Sequence, residues 1–187
     1  MRFQTAYNLL LGRLITEAGD AGEDLRSSPV IENDLAKAVE AVGRGLAAHQ
    51  GAANGEAPLF SVEVEGVPQD LHPILRDEIY RIAGAALRNA FCHARARRVE
   101  VEIRYDTRQL RVRVRDDGIG IGADMLSHYG GAGHFGFRGM REGAKSIGGQ
   151  LEVWSKHGAG TEVELTLHAS AAYGTPVGQR FRSSLGR

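Results

Sequence analysis

Apolar residues fall into a changing rhythm along the chain. Tyr7, Leu11, Leu14, Ala18 and Leu25 recur at threes, fours and sevens, which predicts a helix over residues 3–27. Ser27, Ser28 and Pro29 close it. Asn33 then reads as an N-cap for a second helix, with Leu35, Val39, Val42 and Leu46 as its apolar stripe. The small-residue stretch 50–58 reads as a loop and a domain boundary. Beyond it the period drops to two: Phe60, Val62 and Val64 predict a half-buried strand. Pro73 opens a long helix whose stripe is Leu75, Ile79, Ile82, Ala83, Ala86, Leu87 and Ala90.

A hairpin is expected next. Val99, Val101, Ile103 and Tyr105 are answered by Leu110, Val112 and Val114 across a turn at Asp106 to Gln109. A glycine-rich loop follows. A helix from about Phe137 to Ile147 then stops at Gly148 and Gly149. Leu151 and Val153, then Val163, Leu165 and Leu167, form a closing hairpin that turns at Gly158 to Gly160. Strand, helix, hairpin, loop, helix, hairpin is an α+β order, with helices on one face of a mostly antiparallel sheet. The tail from Ala169 reads as short, polar and frayed.

Composition narrows the function. Lys+Arg and Asp+Glu both number 23, so no global basic field points to nucleic acid. A single cysteine, Cys92, excludes an internal disulfide and a cysteine-clustered metal site. No apolar run reaches membrane-spanning length, and a cytoplasmic setting is expected. Many of the 25 glycines lie between Gly118 and Gly160, where backbone must come close to something.

Four clusters could carry chemistry. Ala85, Asn89 and His93 share one stripe of the long helix; an exposed amphipathic face would look the same. Asp116-Asp117-Gly118-Ile119-Gly120 leaves a strand in a sharp turn that displays a carboxylate, an acceptor suited to an exocyclic amine; an Asx-turn is the plain alternative. Gly131, Gly133 and Gly136 form a GxGxxG match. No strand precedes it, so the dinucleotide-binding reading fails. The loop still ends at a helix N-terminus, which favours phosphate, and it has the character of a lid. The fourth cluster, Gly160-Thr161-x-Val163-x-Leu165, is by itself only a turn entering a strand.

In this order and spacing, the four resemble the N, G1 and G2 boxes and the closing GTxVxL of the superfamily that joins gyrase, Hsp90, MutL and histidine kinases. The wording is most similar to the short-lid branch of bacterial two-component sensor histidine kinases. The phrases DEIYRI, LRNAFCHA, DDGIGI, GHFGFRGMRE and GGQLEVWSKHGAGTEVEL carry the resemblance over residues 58–170. It implies a two-layer α/β sandwich of the Bergerat type with an N-terminal helical extension. ATP would lie between the helix layer and the lid. By position, Asn89 matches the asparagine that helps hold Mg²⁺, and His93 the histidine near the phosphate end. Asp116 matches the aspartate that receives the adenine amino group. Gly118 and Gly120 match glycines that pass close to the base, Gly136 and Gly139 those under the phosphates, and Thr161 a residue that reaches adenine through water.

The same resemblance divides the chain into 1–28, a remnant of a helical dimerisation region; 29–57, a connecting helix and loop; 58–170, the ATP-binding domain; and 171–187, a flexible tail. It implies an acceptor helical domain and a response regulator as partners. A homodimer through residues 3–27 and a fold-back of that stripe onto the domain are both open.

Three departures bear on activity. Ala85 stands where the family usually has glutamate, Cys92 where it has Lys or Arg, and Gly143 where a bulkier residue is common. A mid-helix glycine costs about 1 kcal/mol against alanine, so a looser helix is expected there. No histidine precedes His49 to serve as phosphate acceptor. Two functions therefore compete: a kinase module that phosphorylates a histidine elsewhere, and an impaired nucleotide-binding module that signals by lid closure or partner binding. An ATP-hydrolysing clamp is disfavoured, because it needs the glutamate that Ala85 replaces.

Overall fold

The computed structural model describes residues 34–54, 56–121 and 135–173. Helix α1 (Leu35–Asn54) is followed by β1 (Leu59–Glu65), α2 (Pro73–His93), β2 (Arg98–Tyr105) and β3 (Gln109–Asp116). Then come α3 (Phe135–Ser146), β4 (Gln150–Ser155), β5 (Thr161–His168) and the short α4 (Ala169–Ala172). The sheet order is β1-β2-β3-β5-β4. Only β1 runs parallel to its neighbour, β2; the remaining pairs are antiparallel. Helices pack on one face, giving the expected α+β two-layer arrangement.

The strand registers align the inward side chains in rows. One row crosses all five strands as Val62, Val101, Val114, Val163 and Val153. The next is Val64, Ile103, Val112, Leu165 and Leu151. A third contains Tyr105, Leu110 and Leu167. Branched side chains pack well on a pleated surface, and these rows, except for Val64, which is exposed on the edge strand, form the sheet's half of the core. Helix α2 supplies the other half with Ile79, Ile82, Ala83, Ala86, Leu87, Ala90 and Phe91, all buried. Every residue of the expected α2 stripe is buried or packed against the core.

The uncovered face is lined by charge. Glu102 pairs with both Arg111 and Arg113, and those arginines lie near Glu164 and Glu162 at 3.8 and 3.9 Å. Such partly screened pairs contribute little individually. They do let a sheet with one open face stay polar without a second helix layer.

Several local readings change. The cap of α1 is Asp34, whose Oδ1 accepts the Lys37 N–H at 3.1 Å; Asn33, expected in that role, lies outside the described residues. Helix α1 runs on to Asn54, through part of the stretch read as loop. Its Leu35 and Val39 are fully buried in the same core as the sheet. The tail begins ordered: Ala172 is buried, the Tyr173 ring stacks on Tyr105 at 6.3 Å, and its hydroxyl donates to the Gln109 carbonyl at 3.2 Å. Residues 3–27, the lid glycines Gly131 and Gly133, and the end of the tail lie outside the described residues. Among the described residues, no helix is long and apolar enough to cross a membrane.

Gly143 has a packing reason. It faces α2, and a methyl group there would collide with the Glu78 carboxylate and the Arg81 guanidinium, which form an ion pair across the glycine. Replacing it with alanine should therefore yield less than the gain of about 1 kcal/mol that helix propensity alone would give. In a Glu78→Ala background the full gain should return. Urea midpoints of the four variants of this cycle measure it, and an equal gain in both backgrounds would show that the pair has no hold on position 143.

Candidate functional site

The fourth inward row breaks the pattern. It runs Phe60, Val99, Asp116, Thr161 and Ser155 across β1, β2, β3, β5 and β4. Three adjacent strands thus place polar side chains on a face that is otherwise apolar. The row lies at the end of the sheet where β3 finishes, β5 begins and β4 finishes.

Asp116 is 6% exposed, the one buried charged side chain among the described residues. Its Oδ1 accepts the Gly118 N–H at 2.9 Å and the Thr161 N–H at 3.2 Å. Burial pushes its pKa up, the two amides pull it back in part, and the charge of Asp117 adds to the rise. A carboxylate has about four acceptor positions, so capacity remains for a ligand's N–H. Asp117 does different work. Its Oδ1 accepts the amides of Arg97 and Arg98 at 2.8 and 2.9 Å, tying the turn to the start of β2. Desolvation raises its pKa, but the Arg98 and Arg97 amides outweigh that and leave it below the ordinary carboxylate range.

The glycines of this turn answer to the protein's own backbone. A side chain on Gly118 would strike the Ala94 carbonyl just past α2, which also accepts the Ile119 N–H at 2.8 Å. Gly160, at φ +83°, lies against the Asp116 carbonyl, and Gly120, at φ +62°, against the Lys156 carbonyl. Only glycine combines that conformation with that proximity at no steric cost. The G1 turn, the end of α2 and the β4–β5 turn are thereby clamped together.

Asn89 is half-buried, three-quarters of the way along α2, and faces α3. A side chain on Gly136 would lie 3.7 Å from its Nδ2 and 3.8 Å from its Oδ1. Among the described residues its amide makes no hydrogen bond. The structure therefore brings Asn89 close to Gly136, at the N-terminal turn of α3, and a helix N-terminus is the end whose dipole favours an anion. Space beside Gly139 is open. His93 and Cys92 are exposed at the end of α2. Ala85 is half-buried and packs against the core, so a methyl group occupies the position of the expected carboxylate.

Sequence reasoning missed Ser155. Its hydroxyl accepts the Ile121 N–H at 2.7 Å, donates to the Gly160 carbonyl at 2.9 Å and meets the Thr161 hydroxyl at 2.9 Å. The available signal was the break in alternation at the end of Leu151-x-Val153-x-Ser155, where a polar residue takes an inward position.

Residues 74–171, just over half of the chain, match the family model of histidine kinase-, DNA gyrase B- and HSP90-like ATPases. The chain belongs to this family. Within it, the chain is similar to the sensor histidine kinase LiaS of Bacillus subtilis, 37% identical over 93 residues, which are 50% of this chain and 25% of that protein. It is also similar to the sensor histidine kinase YxjM of Bacillus subtilis, 33% identical over 108 residues, covering 57% and 25% of the two chains. The nitrate/nitrite sensor protein NarX of Escherichia coli is 32% identical over 89 residues, 48% of this chain and 14% of that one. The chain thus spans a quarter or less of the relatives' length. The matched domain is the ATP-binding domain of the sensor histidine kinase type, and the polar row and the Asn89–Gly136 contact lie within it.

The buried carboxylate gives a test that separates stability from binding. A carboxylate whose folded pKa is raised loses stability as pH climbs from the ordinary carboxylate range through that folded value. Above it, the ionised group remains buried at a cost. Asparagine can accept the same two amides without a charge. Asp116→Asn should therefore melt at or above the wild-type temperature at neutral pH, with the difference shrinking on acidification toward about pH 4. A variant that melts lower at neutral pH would show that the charge supports the fold.

Proposed function

We propose that the chain is the ATP-binding catalytic module of a sensor histidine kinase in two-component signalling. It donates the ATP γ-phosphoryl group to a histidine supplied by another segment or another polypeptide. The single observation that carries this reading is the buried Asp116 carboxylate in a polar row at the sheet's end. In this reading Asp116 accepts the adenine amino group, with Thr161 beside it, and Gly118 and Gly120 shape the edge against the base. Gly136 and Gly139 open the start of α3 to the phosphates, with His93 at the phosphate end. Asn89 would hold Mg²⁺, which when bound supplies charge neutralisation on the phosphate oxygens. An imidazole nitrogen of the acceptor then attacks the γ-phosphorus as the bond to the β–γ bridging oxygen breaks, and ADP leaves. The acceptor helical domain and a response regulator follow as partners, with a homodimer through residues 3–27 as one arrangement.

Ala85 favours a second reading. A carboxylate at that position orients or deprotonates the nucleophile; a methyl group does neither. On this reading nucleotide binding persists while transfer is weak, and the module signals through the bound state.

Isothermal titration with ADP and with a non-hydrolysable Mg·ATP analogue tests the shared premise. Micromolar binding is expected, weakened roughly tenfold or more in Asp116→Asn, the scale of one charged hydrogen bond. Unchanged affinity in that variant would remove Asp116 from the site. Ala85→Glu separates the two functions. If the missing carboxylate limits transfer, the variant should phosphorylate a supplied acceptor domain on the order of a hundredfold faster. An unchanged rate would show that the limit lies elsewhere.

A further inference from the structure

The hydroxyl pair beside Asp116 has a fixed polarity, and it follows from counting protons. Ser155 has one hydroxyl hydrogen. The Gly160 carbonyl, 2.9 Å away, can only accept, so that hydrogen is committed to it. The other backbone N–H near that carbonyl is Lys156's, at a long 3.4 Å, so the serine bond is the stronger claim on it. The Ile121 N–H, at 2.7 Å, occupies one lone pair of the serine oxygen. What remains for the Thr161 hydroxyl, 2.9 Å away, is a serine lone pair, so threonine must be the donor of that contact. With its hydrogen turned to Ser155, Thr161 presents only lone pairs in every other direction. Its cross-strand neighbour on β3 is Asp116, which is also acceptor-only when ionised.

We propose that Ser155 is a positioning residue that sets nucleobase specificity. By taking the Thr161 hydrogen, it makes the polar row acceptor-only, and so selects a base whose edge donates there, a 6-amino purine, against one that accepts, a 6-oxo purine. The reading applies where the base meets Thr161 directly, and also through one water shared by Thr161 and the ionised Asp116, because that water gives both of its hydrogens to these two acceptors and can then only accept from the base. It rests on the proposed nucleotide site and deepens it. Ser155 itself touches the base at no point in this scheme. It acts through Thr161, and it also holds the Ile121 amide and so the exit of the G1 turn.

Inosine diphosphate differs from ADP in having a 6-oxo group and a protonated N1, so the ratio of the two affinities reads the polarity of the row. The wild-type chain should prefer ADP. Ser155→Ala frees the Thr161 hydrogen to turn outward and donate to the 6-oxo group. The ADP preference should then fall by about three- to tenfold, the scale of one neutral hydrogen bond. Thr161→Val removes the hydroxyl and should also lower the ratio. The double variant should match Thr161→Val alone, because Ser155 acts only through that hydroxyl. If Ser155→Ala weakens both nucleotides equally, or leaves both unchanged, the serine merely braces the turn and the proposal is overturned. A double variant additive in the ratio also overturns it. Binding of neither nucleotide by the wild-type chain would bring down the site itself, an outcome distinct from an unchanged ratio. Should Ser155→Ala not fold, Ser155→Cys reports the same ratio with a poorer acceptor and donor in place, and an unchanged ratio there overturns the proposal as well.

Discussion

A carboxylate held out of water at the end of a β-strand is the constraint around which the rest is arranged. Burying Asp116 is unfavourable: desolvation pushes its pKa up, and the amides of Gly118 and Thr161 only partly pull it back. The protein tolerates it because two backbone amides converge on Oδ1. Those amides belong to Gly118 and Thr161, and each arrives through a tight approach of chain to chain. Gly160 must press on the Asp116 carbonyl for Thr161 to begin β5 opposite it; Gly118 must press on Ala94 for the turn to fold back. The glycine clustering, the β3–β5 register and the end point of α2 are thus consequences of one requirement. The next row has a valine on every strand, and there no amide converges on the side chain's place.

That contrast also explains how much was legible in the sequence. The rows of Val, Ile and Leu announce themselves by a period of two, and α2 by its 3.6-residue stripe, because burial depends on side-chain chemistry that alternation reveals. Asp116 was visible as an acid in the turn after Leu110, Val112 and Val114, but was read as displayed by that turn; the structure keeps it in β3, inward and buried. Ser155 obeys the same rule after Leu151 and Val153, yet a serine at a strand end looks like turn chemistry, and only the register shows that it stands beside Thr161. The packing around Gly143 was illegible because it depends on α2 and α3 lying face to face, with Glu78 and Arg81 a helix away in sequence. The loop expected at 50–58 failed at its start because Gly51, Ala52 and Ala53 mark flexibility only when nothing extends the helix through them. Tyr173 was missed since one aromatic residue in a polar tail carries no period at all.

The site also divides by element. The sheet end supplies the polar row, fixed by three strands in register and by the backbone clamps; on the proposed reading this row meets the base. The α2–α3 pair supplies Asn89 and the N-terminal turn of α3, which the same proposal gives to the phosphates. The two halves meet at the end of α2, where Ala94 accepts the Ile119 amide and Phe91 packs against Phe60 of the row. Every departure from the family's usual residues noted in this chain, at Ala85, Cys92 and Gly143, falls on the helical half; the polar row carries none.

This asymmetry bears on what the departures mean. Were the nucleotide site a relic, substitutions would be expected to accumulate first where they relieve cost, and Asp116 is the one buried charged residue among those described. An asparagine at that position would remove the buried charge and still accept both amides, whereas a valine would leave them unpaired. The carboxylate is instead retained with both of its amides, both glycines that permit them, and a serine that leaves its neighbour acceptor-only. Ala85 removes a group that acts on the nucleophile and touches none of this apparatus. A polar row kept whole beside a helix that has lost a carboxylate is what both proposed readings, a nucleotide-sensing module and a slow kinase, would share.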